Sequence, residues 1–299
     1  MSKIDALRNR LASSAQTGVT TVRHHLSRDW RRELPYLILA LLLAVLFFFP
    51  FYWLIKVAST WPPQSLYAGT PSLAIENFEL FNFVRVFYTI PFIQYLLNSF
   101  IITGLSVGGV LIFNSLAAYS LIHEFYGKRI VIALLIASMM IPYYVVVLPA
   151  YLVANELNLL NTYLGVAIPF MTFVIGILIL KNSFEAVPTS MIEAARIDGA
   201  SELYILFGVL WRLSKPALAT NVILIFVFAW NSFLWPLVVL SDTSKQPLSL
   251  GLAAFTSRFE GNFALAYAFA IMALVPVIIM FVLLQRQFIR SVAQSALKE

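Results

Sequence analysis

Six stretches of the chain are apolar at almost every position and carry no charge: 34–55, 86–122, 130–155, 157–180, 216–241 and 261–285. Each is long enough for the about twenty apolar residues that a helix needs to cross the hydrocarbon core of a bilayer. The second exceeds one span, and Pro91 separates a lead-in from a helix expected to start near Tyr95. The third and fourth are parted only by Glu156 and by the polar Asn155, Asn158 and Asn161, the composition of a short hairpin loop. The pattern predicts an all-α membrane protein with six transmembrane helices, at about 35–56, 95–122, 130–154, 161–182, 217–241 and 264–285. Residues 1–33 read as an N-terminal tail ahead of this transmembrane domain, 34–299.

The pattern changes between the fourth and fifth spans, at 186–216. Ser190 and Glu193 have capping-box spacing, in which a hydroxyl and a carboxylate satisfy the first free amides of a helix. A short helix through Ala194, Ala195 and Ile197 follows. Gly199 can take the left-handed conformation that ends a helix and turns the chain sharply. Ser201 can cap a second helix, whose apolar positions Leu203, Leu206, Phe207, Leu210 and Leu213 recur at helical spacing; Pro216 opens the next span. Two short capped helices between spans suggest a docking surface for a partner's groove.

Composition agrees with the membrane assignment. Hydrophobic residues make up 61% of the 299 residues and charged residues 11%, too much apolar surface for a soluble domain to hide. Cysteine is absent, which removes disulfides, thiolate metal sites and a cysteine nucleophile. The net charge of +6 would suit nucleic acid or anionic lipid, but the charges flank the spans, so membrane lipid is an expected partner and nucleic acid is not. With the N-terminus in the cytoplasm, the tail, Lys128-Arg129, the stretch Lys181 to Lys215 and the C-terminal Arg286, Arg290 and Lys298 hold sixteen of the twenty basic residues. Only Lys56, Arg85, Lys245 and Arg258 face the other side, so both termini are expected to be cytoplasmic. The tail has the arginines and hydroxyl residues of a transit peptide, but Asp5, Asp29 and Glu33 favour a solvated cytoplasmic tail. The first apolar run is too long for the core of a cleaved signal.

Several chemistries are missing. His24, His25 and His123 cannot build a His-x-x-x-His zinc pattern, and His123-Glu124 reads as a solvated pair at a helix end. Gly127-Lys128-Arg129 lacks the upstream glycine and the hydroxyl of a phosphate-cradling loop, so the chain is not expected to bind or hydrolyse ATP, or any other cofactor, by itself. The span interiors hold no Asp, Glu, Lys or Arg, which argues against the alternative of a secondary, ion-coupled transporter. Asn98, Asn114, Asn221 and Asn231 lie within spans, where bonding between helices is the default role. Asn231 is the strongest exception, because Trp230 and Trp235 flank it and aromatic faces beside an amide suit a sugar. With Tyr143 these form the candidate solute pathway.

Glu193-Ala194-Ala195, Asp198-Gly199-Ala200 and the spaced Pro216 resemble the EAA loop of binding-protein-dependent ABC transporter permeases. Asn98-Ser99, Ala117-Ala118-Tyr119, Met140-Ile141-Pro142, Leu160-Asn161-Thr162-Tyr163, Phe228-Ala229-Trp230-Asn231 and Gln285-Arg286 resemble the carbohydrate-uptake branch, in particular the second permease of maltose-type systems. The resemblance covers nearly the whole chain after the tail. It implies a non-catalytic half of an importer in a bacterial or archaeal cell (inner) membrane. The partners would be a second permease subunit, an ATPase subunit dimer carrying ATP and Mg, and an extracytoplasmic solute-binding protein. It assigns ATPase coupling to Glu193, Ala194, Ala195, Asp198, Gly199, Ala200, Ser201, Leu206 and Phe207. One departure stands out: Trp211-Arg212 replaces a common Leu-Pro, which would let the second coupling helix run straighter.

Overall fold

The computed structural model describes the backbone of residues 30–60, 73, 74, 78–258 and 263–296, and the side chains of 34–60, 73, 74, 78–256 and 263–285. The N-terminal tail, most of the loop after residue 60 and the basic C-terminal side chains lie outside the described residues. The chain divides into two units, Met1–Leu54 and Ile55–Glu299. In the first unit, α1 (Trp30–Ala58) begins, and its apolar side chains from Leu34 onward are almost all exposed. Phe49 and Trp53 stack along it at 6.3 Å.

Among its described residues, the regular structure of the second unit is helical, apart from an isolated bridge between Thr60 and Phe78. Its helices are α2 (Phe81–Thr89), α3 (Phe92–Ile122), α4 (Lys128–Ser138), α5 (Tyr143–Glu156) and α6 (Tyr163–Ala167). Then come α7 (Val174–Glu185), α8 (Thr189–Ile197), α9 (Glu202–Leu213), α10 (Lys215–Trp230), α11 (Leu234–Val239), α12 (Leu248–Arg258) and α13 (Phe263–Ala296). Pro91 separates the lead-in α2 from the second span as expected, but the span starts at Phe92 rather than near Tyr95.

Among the described residues, three segments are long and apolar enough to cross a membrane unbroken: Leu34–Ala58, Phe92–Ile122 and Phe263–Gln285. With each bent pair taken as one span, the described residues hold up to six, in line with the six expected, but three of the six are broken rather than straight. The third span is two helices, α4 and α5, meeting at 104°. Pro142 cannot donate a backbone bond and disfavours helical Ile141 before it, so the helix ends and restarts. The fourth bends by 53° where Phe173 is extended, between the turn after α6 and α7. The fifth is α10 and α11, interrupted at 231–233. Apolar runs do not reveal such breaks, because the residues stay apolar through the bend. The hairpin turn at 157–162 is confirmed; Asn158 and Asn161 take positive φ of 56° and 59°, which asparagine tolerates better than most residues.

Helix α3 is the central post of this unit and packs against α6, α7, α10 and α12. At its start Phe92 and Tyr95 join Phe226, Trp230, Phe255 and Phe269 in one buried cluster. At its end Ala118 and Leu121 join Leu180, Phe184, Ile205, Leu206 and Leu210. Polar ties accompany both. Asn98 donates to the carbonyls of Ser244 and Gln246, each at 2.8 Å, and accepts from Tyr163 Oη at 2.8 Å. Asn114 donates to Asn221 Oδ1 at 3.1 Å and accepts the Phe173 amide at 3.3 Å, satisfying a group that the bend exposes. Asn221 donates to the Gly176 carbonyl at 3.3 Å. The packing role expected for Asn98, Asn114 and Asn221 is what these bonds perform.

Candidate functional site

The segment between α7 and α10 is built by local rules that can be read residue by residue. Helix α8 ends in a Schellman motif: the Gly199 amide bonds the Arg196 carbonyl at 3.0 Å and the Ala200 amide bonds the Ala195 carbonyl at 2.9 Å. Gly199 has φ +82°, the left-handed region a side chain resists. Ser201 then caps α9, accepting the Tyr204 amide at 3.3 Å. Both expectations for the turn hold. The capping box does not: α8 starts at Thr189 with Pro188 at its N-cap, no side chain caps it, and Ser190 lies inside the helix. Pro188 presets the helix start by its fixed φ, so Ser190 stands inside the first turn rather than at the N-cap position from which a hydroxyl caps.

Helix α9 departs from the expected pattern. Residues Ile205–Leu210 form a π-helical stretch. The wider turn advances the phase, so Ile205, Leu206 and Leu210 point inward with no exposure while Leu203 is 61% exposed. Trp211 lies in the last turn of this helix. Its ring packs edge-on against Phe207 at 5.0 Å, and its Nε1 donates to Ser115 Oγ of α3 at 3.0 Å. At Ser214 the chain turns by 89° into α10, so α9 lies across the axis of the span that follows.

This fixes where the expected coupling residues lie. Glu193, Ala194, Asp198, Gly199 and Ser201 are exposed, with Ala195 and Ala200 partly covered. Leu206 is fully buried and Phe207 half-buried, so they hold the segment to α3 and α7 rather than lining its outer face. The outer face instead carries Ile197, Leu203 and Tyr204, exposed at 86%, 61% and 58%. A groove of about 460 Å³ between the ends of α3 and α7 and the flank of α8 is lined by Ile122, His123, Phe184, Thr189, Ile192 and Glu193 among others.

A polar cluster near this groove was not foreseen. Glu202 accepts Arg196 Nε at 2.8 Å and Arg196 Nη2 at 3.1 Å, and also accepts the Tyr119 hydroxyl. Arg196 Nη2 reaches His123 Nε2 at 3.3 Å, and the His123 ring packs against Tyr119 at 4.7 Å. His123 is therefore tied to this cluster rather than simply solvated. Glu124 bonds Lys128 at 2.8 Å. The bonds from Arg196, then from Tyr119, hold the Glu202 carboxyl below its ordinary value. Arg196 and Glu202 flank a turn, so helical spacing could not pair them; the hydroxyl of Tyr119 on the apolar α3 was the one available signal.

The candidate solute-pathway residues do not form one patch. Trp230 is 4% exposed and donates to the Ala273 carbonyl at 3.2 Å; Trp235 is 2% exposed and donates to the Gly165 carbonyl at 3.0 Å. They sit in different buried clusters. Asn231 is exposed at the end of α10, its amide turned back to the Val227 carbonyl at 2.8 Å. Tyr143 is 46% exposed, its ring against Tyr144.

Residues 111–294 match the family described as Binding-protein-dependent transport system inner membrane component, and the chain belongs to that family. It is thus a multi-pass membrane transport permease rather than an ion-coupled carrier. The arabinooligosaccharides transport system permease protein AraQ of Bacillus subtilis (strain 168) is 29% identical over 86% of this chain and 93% of its own length. The sn-glycerol-3-phosphate transport system permease protein UgpE of Escherichia coli O157:H7 is 27% identical over 90% of this chain and 98% of its own. Among solved structures, a chain of a bacterial ABC transporter involved in the import of the acidic polysaccharide alginate matches with a TM-score of 0.72 at 26% identity, over 88% of this chain and 98% of that one.

Proposed function

We propose that this chain is one of two permease subunits of an ATP-driven ABC importer for a carbohydrate or a related polyol or glycoside. The observation that carries the reading is the segment 186–216: two short helices, set across the following span and carrying an exposed apolar face, in a chain of this transport family. In this reading the segment is the EAA coupling loop. Glu193, Ala194, Ala195, Asp198, Gly199, Ala200 and Ser201, joined by Ile197, Leu203 and Tyr204, meet a separate ATPase dimer that binds ATP and Mg. Leu206 and Phe207 root the loop in the spans. The relatives AraQ and UgpE and the alginate importer support the solute class. A solute-binding protein engages the opposite end, as the family description implies.

The basic side chains Lys128, Arg129, Lys181, Arg212 and Lys215 gather at the loop end, which supports a cytoplasmic loop and cytoplasmic termini. Residues 1–33 form the tail and 34–299 the permease domain. Asn231 and Tyr143, both exposed, remain candidate pathway residues, while Trp230 and Trp235 are buried in separate clusters. The test is reconstitution of this chain with its second permease and ATPase in proteoliposomes, with binding protein supplied outside. Arabino-oligosaccharides, sn-glycerol-3-phosphate and alginate oligosaccharides are offered in turn. Uptake of one of them that needs ATP and binding protein is expected; uptake driven by an ion gradient without ATP would overturn the reading.

A further inference from the structure

Besides the Trp211 Nε1 bond to Ser115 Oγ near the end of α9, the loop is held to α3 in two ways. One is apolar: Ile192, Ile205, Leu206 and Leu210 share a cluster with Ala118 and Leu121. Apolar contact is non-directional, so such surfaces can slide or rock without losing much. The other is a polar net across the surface. Tyr119 and His123 stand four residues apart at the end of α3, one above the other on the same face. Arg196 belongs to the last turn of α8 and Glu202 to the first turn of α9. Four side chains from three helices therefore meet over the Gly199 turn. Each has one available role. A guanidinium has no acceptor, so in this contact it can only donate and His123 Nε2 can only accept. Tyr119 donates because the carboxylate can only accept. An exposed ion pair contributes little to stability, so the consequence of this net is an angle rather than a stronger fold.

We propose that Tyr119 and His123 are positioning residues that strap the loop to α3, so that loop and post turn as one rigid lever. The proposal rests on the coupling role assigned to the loop above. Motion delivered to α8 and α9 then enters the helix against which α6, α7, α10 and α12 are packed. Without the strap the loop can still dock but rocks on its apolar seat, and the displacement is lost before it reaches the spans.

The experiment uses the assembled importer in nanodiscs, with Mg-ATP and vanadate as the trapping probe. The chain has no cysteine, so spin labels at Tyr126→Cys and Arg212→Cys report the angle between the end of α3 and α9. In the otherwise unaltered chain the distance distribution should stay narrow in both the nucleotide-free and trapped states. In Tyr119→Phe/His123→Ala it should broaden, and the ratio of binding-protein-stimulated to basal ATP hydrolysis should fall at least threefold. Tyr119→Phe alone, which removes one exposed hydroxyl and cannot prevent folding, should give part of the same change. Unchanged distances and an unchanged ratio in the double variant would overturn the strap. If Gly199→Val meanwhile releases the ATPase, the coupling loop stands and only the strap fails; if Gly199→Val also changes nothing, the coupling reading falls with it.

Discussion

Gly176 offers a direct test of how α3, α7 and α10 are held together. A methyl group at this position would overlap Asn221 Oδ1 and stand 2.5 Å from Asn114 Nδ2 and 2.6 Å from the Phe173 ring. Neither amide can retreat freely. Asn114 also accepts the Phe173 amide, and Asn221 also donates to the Ala217 carbonyl at 3.1 Å. Gly176→Ala must therefore either strain the packing, at about 1–3 kcal/mol, or push α7 outward and break the Asn221 to Gly176 bond and its neighbours, at about 1 kcal/mol each. Either route costs about 1–3 kcal/mol, part of it offset by the about 1 kcal/mol that alanine gains in a helix. Gly108→Ala is the control, since nothing lies within 4 Å of a methyl there and the helix itself gains about 1 kcal/mol from alanine. Reversible unfolding in mixed micelles measures both. Asn221→Ala removes the blocking oxygen, so the double variant with Gly176→Ala should lose less than the sum of the two single losses. If Gly176→Ala is no less stable than Gly108→Ala, the close approach of these three helices is wrong.

Gly199→Val places a β-branched residue at φ +82°, a strain of about 1–2 kcal/mol, too small to stop membrane insertion but enough to misplace a short helix. Crosslinks from Ala195→Cys to the ATPase should weaken in that background, and normal transport with normal crosslinking would end the coupling assignment. Trp235→Phe forfeits the bond to the Gly165 carbonyl and should cost about 1 kcal/mol of stability with transport retained, whereas Asn231→Ala should alter transport more than stability. Because the folded Glu202 carboxyl is held below its ordinary value, its contribution is complete above the unfolded value of about 4.3 and is lost only as pH falls through the lower folded value. A spin label at Asp198→Cys should therefore gain mobility only in acid, and Glu202→Gln should give that mobility at neutral pH; a wild-type transition above the ordinary carboxylate range would contradict the sign.

The spans, the hairpin at 157–162 and the Gly199–Ser201 turn were legible because each rests on a local rule: apolar length, asparagine in a left-handed turn, glycine ending a helix and serine starting the next. The bends were not. At Met139–Pro142 the proline was visible, but the residues on both sides stay apolar, so hydropathy runs smoothly through a 104° corner. The capping box failed because Pro188 had already started α8, and the inward face of α9 shifted because a π-turn is invisible to a 3.6-residue period. Trp230 and Trp235 flank Asn231 in sequence, yet the interruption at 231–233 sends them into separate clusters. The net of Tyr119, His123, Arg196 and Glu202 depends on contacts between elements far apart in sequence, which no window along the chain contains.

Bracing is uneven across the helices, and this bears on how a displacement at the loop could spread. Helix α3 is tied at three levels, by Asn98, Asn114 and Tyr119. At 1.5 Å per residue the first and last of these are about 31 Å apart, the thickness of a hydrocarbon core. The bend at Phe173 is fastened to this post by Asn114, and the one at 231–233 is fastened to α12 by the Ser249 hydroxyl, which donates to the Ser232 carbonyl at 2.6 Å. The corner between α4 and α5 differs. Among the described residues, the bonds through it are its own backbone turns, such as Met140 to the Ala137 carbonyl at 3.0 Å, and Met140 is 83% exposed. A backbone turn of this kind fixes the local path but not the angle between the helices on either side. The described structure thus joins the loop to α3, α7 and α10, while the α4–α5 corner rests on its own backbone turns.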